Sequence, residues 1–197
     1  MAYLSQQELE SIGFASIGEK VFISDKVSFY NPSKISIGSY VRIDDFCLIS
    51  AGEEGIEIGN FVHISCYATL MGRSKITLHD WVAISIKATI LSSTSDFSGE
   101  FIPELREFDD LNELNNGLVN VISNPVVFET NTGIGAHSLV LPGVTIGKGS
   151  AIGALSVVYE DVNPWGIYLG NPVRFVKKRS DHVYQEIKKK MREAGYE

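Results

Sequence analysis

Gly133-Ile134-Gly135-Ala136-His137-Ser138-Leu139-Val140-Leu141-Pro142-Gly143-Val144-Thr145-Ile146-Gly147-Lys148-Gly149-Ser150-Ala151-Ile152-Gly153-Ala154-Leu155-Ser156-Val157-Val158 decides the fold. Large aliphatic residues fall at Ile134, Val140, Ile146, Ile152 and Val158, each six positions after the last. Neither a helix of period 3.6 nor an alternating strand gives that spacing. It is the mark of a repeat architecture.

The register extends backward through Ile17, Ile23, Phe29, Ile37, Ile43, Ile49, Ile58, Ile64, Leu70, Leu78, Ile84, Ile90 and Phe128. A second set sits two residues earlier in each hexapeptide, among them Val41, Cys47, Val62, Ala68, Thr132, Ser138, Ser150 and Ser156. Residues two apart on a strand share a face, so both sets point inward. Gly18, Gly38, Gly59, Gly135, Gly147 and Gly153 follow the large residue, which suggests a corner with positive φ. The steps Ile17 to Ile37, Ile37 to Ile58 and Ile58 to Leu78 are 20, 21 and 20 residues. Each is three hexapeptides plus two or three extra residues at one corner. Three strands per coil make a triangular prism of parallel sheets around one apolar core.

The register breaks once, between Leu91 and Val126. The segment is polar but carries Phe97, Phe101, Ile102 and Phe108, the composition of a functional loop. The chain then divides into an N-terminal cap (1–14), a β-helix domain (15–160) with an inserted loop (91–126), and a C-terminal extension and helix (161–197). Ser5-Gln6-Gln7-Glu8 reads as a capping box opening a short helix. Residues 180–194 set Val183, Tyr184, Ile187 and Met191 at helical spacing, with Gly195 as a stop.

Composition narrows the chemistry. The formal net charge of −7 argues against a nucleic-acid binder. No apolar run is long enough for a bilayer, and the N-terminus lacks the pattern of a secretory signal, so no membrane partner and a cytoplasmic location are expected. Cys47 falls in the inward set, and neither it nor Cys66 has metal-ligand spacing, so no metal site is expected.

On these residues the sequence resembles the bacterial hexapeptide-repeat acyltransferases that use acetyl-CoA. The most specific stretches are Gly135 to Gly147 and Asn163-Pro164-Trp165-Gly166-Ile167-Tyr168-Leu169-Gly170-Asn171-Pro172-Val173-Arg174. The resemblance implies an all-β fold, a left-handed parallel β-helix with a long external loop and a short C-terminal helix. It implies a homotrimer with active sites between neighbouring prisms. It also implies acetyl-CoA as co-substrate, with pantetheine along Ala136, Ser138 and Ala154. The phosphates would meet cations among Arg174, Lys177, Lys178 and Arg179.

The catalytic pattern departs from the maltose and galactoside O-acetyltransferase branch. There a Thr-His pair opens the long loop; here the stretch is Thr94-Ser95-Asp96. Ser95 has no proton-accepting form near neutral pH. The remaining candidates are His63, outward on a sheet face, and the loop carboxylates Asp96 and Glu100. Asp44 and Asp45 sit at a corner, His79 and His137 at others, and His182 in the terminal helix. A neutral amine is already a nucleophile, so loss of the loop histidine favours N-acetylation. The sequence also resembles the VioB-type branch, which acetylates dTDP-4-amino-4,6-dideoxyglucose in O-antigen pathways. Two other readings stay open: a sugar or galactoside O-acetyltransferase, and a non-catalytic β-helix scaffold.

Overall fold

In a computed structural model, which describes residues 2–101 and 117–196, the hexapeptides form three stacked sheets. The first contains Ser16–Ile17, Ile35–Ile37, Ile56–Ile58, Ile76–Leu78, Val126–Phe128 and Thr145–Ile146. The second contains Phe22–Ile23, Arg42–Ile43, His63–Ile64, Ala83–Ile84, Gly133–Ile134, Ala151–Ile152, Gly166–Leu169 and Arg174–Lys178. The third contains Ser28–Tyr30, Leu48–Ser50, Thr69–Met71, Thr89–Leu91, Leu139–Val140 and Val157–Val158. Successive strands within each sheet are parallel, apart from the last pair of the second sheet.

The register is the one the six-residue period predicts. Ile17 pairs with Ile37, Ile37 with Ile58, Ile58 with Leu78, Leu78 with Phe128, and Phe128 with Ile146. Every large inward residue from Ile37 to Val158 is buried, as is Cys47. The core is therefore a ladder of aliphatic layers, each stabilised by apolar area removed from water. The first coil is covered by helix α1 (Gln6–Ile12), which lays Leu9 on the core. Its capping box forms as the sequence predicts: the Glu8 amide donates to Ser5 Oγ, and Glu8 Oε2 accepts from the Ser5 amide at 2.7 Å.

The glycines turn out to serve another purpose than the φ angle. At two of the corners positive φ falls mostly on larger residues, stacked in columns. Lys20, Tyr40, Phe61, Trp81, Asn131, Gly149 and Trp165 form the corner between the first and second sheets. Phe46, Tyr67, Lys87, His137 and Leu155 form the corner between the second and third. Gly18, Gly38, Gly59, Gly135, Gly147 and Gly153 are absent from the positive-φ set. They stand where coils touch: a Cβ on Gly38 would lie 2.7 Å from the Gly59 carbonyl carbon. Close approach of stacked backbone is the constraint there.

The extra residues of each early coil lie at the third corner, where Pro32–Lys34 makes a short 3-10 turn. The long loop leaves from the same corner. Its base is an antiparallel hairpin of Ser93–Ser95 and Val121–Ser123. Ile102 and Phe108 lie outside the described residues; Phe97 is exposed.

Where the spacing ends the prism at residue 160, the sheets continue. Val162 bridges Ile146, and Gly166–Leu169 pairs in parallel with Ala151–Ile152. Arg174–Lys178 then folds back antiparallel as the edge of the second sheet. Arg179 anchors that return by donating to the carbonyls of Asn131 and Gly149, both at 2.8 Å. Helix α2 (His182–Glu193) lies against the first corner, where Tyr184 meets Trp165 at 5.7 Å between ring centroids.

Candidate active site

The outward positions of the second sheet run Phe22, Arg42, His63, Ala83, Gly133, Ala151, Ile167 in strand order. Coil stacking places Arg42 and His63 side by side and turns Asp44 toward both. Asp44 is 4% exposed. Its Oδ1 accepts from Arg42 Nε at 2.7 Å, and its Oδ2 lies 3.2 Å from Arg42 Nη2 and 2.9 Å from His63 Nε2. Burial pushes the Asp44 carboxyl up, and the hydrogen bonds from Arg42 and His63 more than offset it, so it stays below the ordinary carboxylate range. An ionised Asp44 can only accept, so the contact calls for a proton on His63 Nε2.

The loop candidates lie elsewhere on the prism. Ser95 is a strand residue opposite Val121 at the hairpin base. Asp96 follows it, with Oδ1 accepting from the Ser98 amide at 2.8 Å and Oδ2 from Asn120 Nδ2 at 2.9 Å. Those bonds hold its carboxyl below the ordinary value. Glu100 is exposed, and its amide donates to Ser98 Oγ at 3.3 Å. These three residues leave from the third corner, whereas His63 lies on the second sheet, between the first and second corners. Within one chain the structure does not bring His63 and the loop carboxylates into contact among the described residues.

The cofactor candidates follow the second corner. Ala136 and Ala154 occupy the same place on adjacent coils, linked by the Leu155 amide donating to the Ala136 carbonyl at 2.9 Å. Ala154 is exposed, whereas Ser138 turns inside, 1% exposed, with Oγ donating to the Gly153 carbonyl at 2.9 Å. Only the main chain of Ser138 remains for a ligand. Arg174, Lys177 and Lys178 are all exposed on the edge strand and pair with no carboxylate among the described residues. Arg179 is committed to the corner carbonyls. The edge strand lies five strands beyond that of His63 in the second sheet. At strand spacing that is about 24 Å.

Sequence reasoning singled out His63 and Asp44 separately and missed Arg42. The signal was present: Arg42 and His63 are 21 residues apart, one coil length. His79 and His137 are exposed corner residues, and His182 lies on α2 beside Glu186, 3.6 Å away. Among the described residues no cluster of three or more His, Cys, Asp or Glu could hold a metal ion, and no helix is long and apolar enough to cross a membrane.

A three-sided parallel prism, interrupted by one long loop and closed by a basic edge strand, has the build of a hexapeptide-repeat transferase. No protein-family model matches the chain. It is 41% identical over 185 residues, 94% of its length and 93% of the relative's, to the dTDP-4-amino-4,6-dideoxy-D-glucose acyltransferase of Escherichia coli. Its fold superposes with a TM-score of 0.88 on AntD, an N-acyltransferase from Bacillus cereus solved with dTDP and 3-hydroxybutyryl-CoA, at 37% identity and 98% coverage of each chain. A galactoside acetyltransferase solved with coenzyme A shares the fold at 24% identity and a TM-score of 0.58, over 93% of this chain and 76% of that one. The chain belongs to the left-handed β-helix acyltransferase family of which the first two enzymes are members. It is an acyltransferase.

Proposed function

We propose that the protein transfers an acyl group, acetyl in the simplest case, from its coenzyme A thioester to the amino nitrogen of a dTDP-linked 4-amino-4,6-dideoxy sugar, in the synthesis of O-antigen or another surface polysaccharide. The observation that carries this reading is the identity of 41% with a nucleotide-sugar acyltransferase, spread over 94% of the chain. AntD has also been solved, as a variant, with dTDP-4-amino-4,6-dideoxyglucose and coenzyme A together.

The geometry supports a carrier laid along the second corner. Gly135 and Gly153 let backbone approach closely there, Ala136 and Ala154 leave a shallow floor, and Arg174, Lys177 and Lys178 stand at its far end for phosphates. The neutral amine attacks the thioester carbonyl, forming the C–N bond and a tetrahedral oxyanion. Collapse breaks the C–S bond, and the proton lost by nitrogen balances the thiolate that leaves. In this reading His63 is the base that carries that proton, and Asp96 the anion that attracts the ammonium form of the acceptor. Ser95 and Glu100 contribute hydrogen bonds to the sugar. His63 lies on the second sheet and the loop residues leave from the third corner of one prism, so in this reading the complete site draws on two subunits of a homotrimer.

The test incubates purified protein with acetyl-CoA and either dTDP-4-amino-4,6-dideoxyglucose or neutral sugars, following release of free thiol. Turnover with the amino sugar alone is expected. Turnover confined to hydroxyl acceptors would overturn the proposal.

A further inference from the structure

At the second corner the stacked rings of Phe46 and Tyr67 are each 49% exposed, whereas at the first corner α2 lies alongside the ring column. That first column is interrupted. Tyr40, Phe61 and Trp81 stack on successive coils with centroids 4.9 and 4.5 Å apart and planes 16° and 18° apart. The next two positions are Asn131 and Gly149, and the rings resume at Trp165. Trp165 folds over Gly149, where a Cβ would lie 2.5 Å from the indole. Asn131 offers only a short amide. One face of Trp81 is therefore stacked by Phe61, and the other looks toward the Asn131 coil, whose amide donates to the Asp80 carbonyl at 2.9 Å. Helix α2 crosses this gap without filling it. A cavity of about 280 Å³ remains, with Trp81 and Asn131 on the prism side and Val183, Tyr184 and Ile187 on the helix side. Arg179 is the only charged residue of its lining among the described residues. Its Nη1 donates to the carbonyls of Asn131 and Gly149, which fixes the guanidinium. Its Nε and Nη2, an edge that can hold a carboxylate by two parallel bonds, have no protein partner among the described residues. Burial lowers its pKa, and no neighbouring anion offsets the shift.

We propose that this cavity is an accessory binding site for a small, flat aromatic carboxylate. The ligand ring continues the column on the open face of Trp81, at the spacing the protein's own rings keep. Its carboxylate takes the Nε–Nη2 edge of Arg179 and supplies the counter-ion that the chain does not. Val183 and Ile187 close over the rim of the ring and shield the ion pair from water. The volume is at the lower end for ligand pockets, so it suits a single ring rather than a nucleotide. The site is separate from the path of the acyl carrier. That path follows the second corner at Ala136 and Ala154, and the second sheet stands between the two.

Tryptophan fluorescence tests the assignment, because both tryptophans of the chain, Trp81 and Trp165, stand at this corner. Benzoate titrated into the full chain should quench it, and should bind about tenfold or more tighter than benzamide, its uncharged counterpart. Asn131→Phe puts a ring into the gap and keeps the main-chain bonds to Arg179; it should weaken benzoate about tenfold or more while the protein still melts cooperatively. Arg179→Gln should weaken benzoate to the level of benzamide. Saturating coenzyme A should leave the benzoate affinity unchanged. A wild type that binds no benzoate would overturn the site. So would benzamide binding as tightly as benzoate, displacement of benzoate by coenzyme A, or a folded Asn131→Phe variant that binds benzoate as well as wild type.

Discussion

His63 Nε2 sits 2.9 Å from Asp44 Oδ2, and that carboxylate is shielded from water by the same coil stacking that exposes the histidine. Arg42 holds the other oxygen at 2.7 Å. The trio links two coils through side chains as well as through the sheet ladder.

Asp44→Ala should lower the unfolding free energy by about 1–3 kcal/mol, the cost of removing a buried hydrogen-bond partner from groups that can partly rehydrate. Urea denaturation at neutral pH measures it. A loss below a few tenths of a kcal/mol would show that the pairing contributes nothing net.

The same carboxylate has a folded pKa held below its unfolded value. Its contribution is therefore present above the unfolded value, near pH 4, and lost as pH falls through the lower folded value. Asp44→Asn should flatten the fall in stability below about pH 4 relative to wild type. Thermal melts across that range report the difference, and parallel slopes would contradict it.

Gly38→Ala should destabilise by about 1–3 kcal/mol, because the new methyl meets the Gly59 backbone, which cannot rotate away. Gly13→Ala has open space around it but a φ of 79°, and should cost about 1 kcal/mol through backbone strain alone. A neutral Gly38→Ala variant would return the glycine to a purely conformational role.

Cys47 is buried and donates to the Ser65 carbonyl at 3.1 Å, and burial raises its thiol pKa to about 11. A thiol reagent at neutral pH should therefore label the partly exposed Cys66 first and reach Cys47 only on unfolding. Mass spectrometry of the labelled peptides decides it, and early labelling of Cys47 would mean that the second coil opens in the native state.

Arg174→Ala should raise KM for the acyl-CoA about tenfold with kcat little changed, as expected for loss of a charge-assisted phosphate contact. Steady-state kinetics at fixed salt separates the two constants. A fall in kcat with unaltered KM would place Arg174 elsewhere in the reaction.

Much of the fold was legible because a six-residue period is one-dimensional. Each inward residue meets the residue one coil away, so Ile37 over Ile17 and Leu78 over Ile58 follow from counting. The corners were harder to read. The period shows that a turn occurs, but the left-handed residues are Tyr40, Phe61, Trp81 and Tyr67, types that sequence rules do not associate with positive φ. Lateral stacking on the coils above and below offsets their backbone strain. The last parallel strand was hard to read for a related reason, since Gly166–Leu169 joins the second sheet without a clear hexapeptide.

The site was legible only in pieces. The sequence by itself determined the prism, its inward and outward residues, and the one long interruption. Those properties depend on residue type and spacing along the chain. Only the tertiary structure decided that Arg42, Asp44 and His63 form one network, that Ser138 faces inward, and that one aromatic corner has α2 alongside while the other stays open. Those facts depend on which coil lies beside which, and on the path of a C-terminal segment outside the repeat.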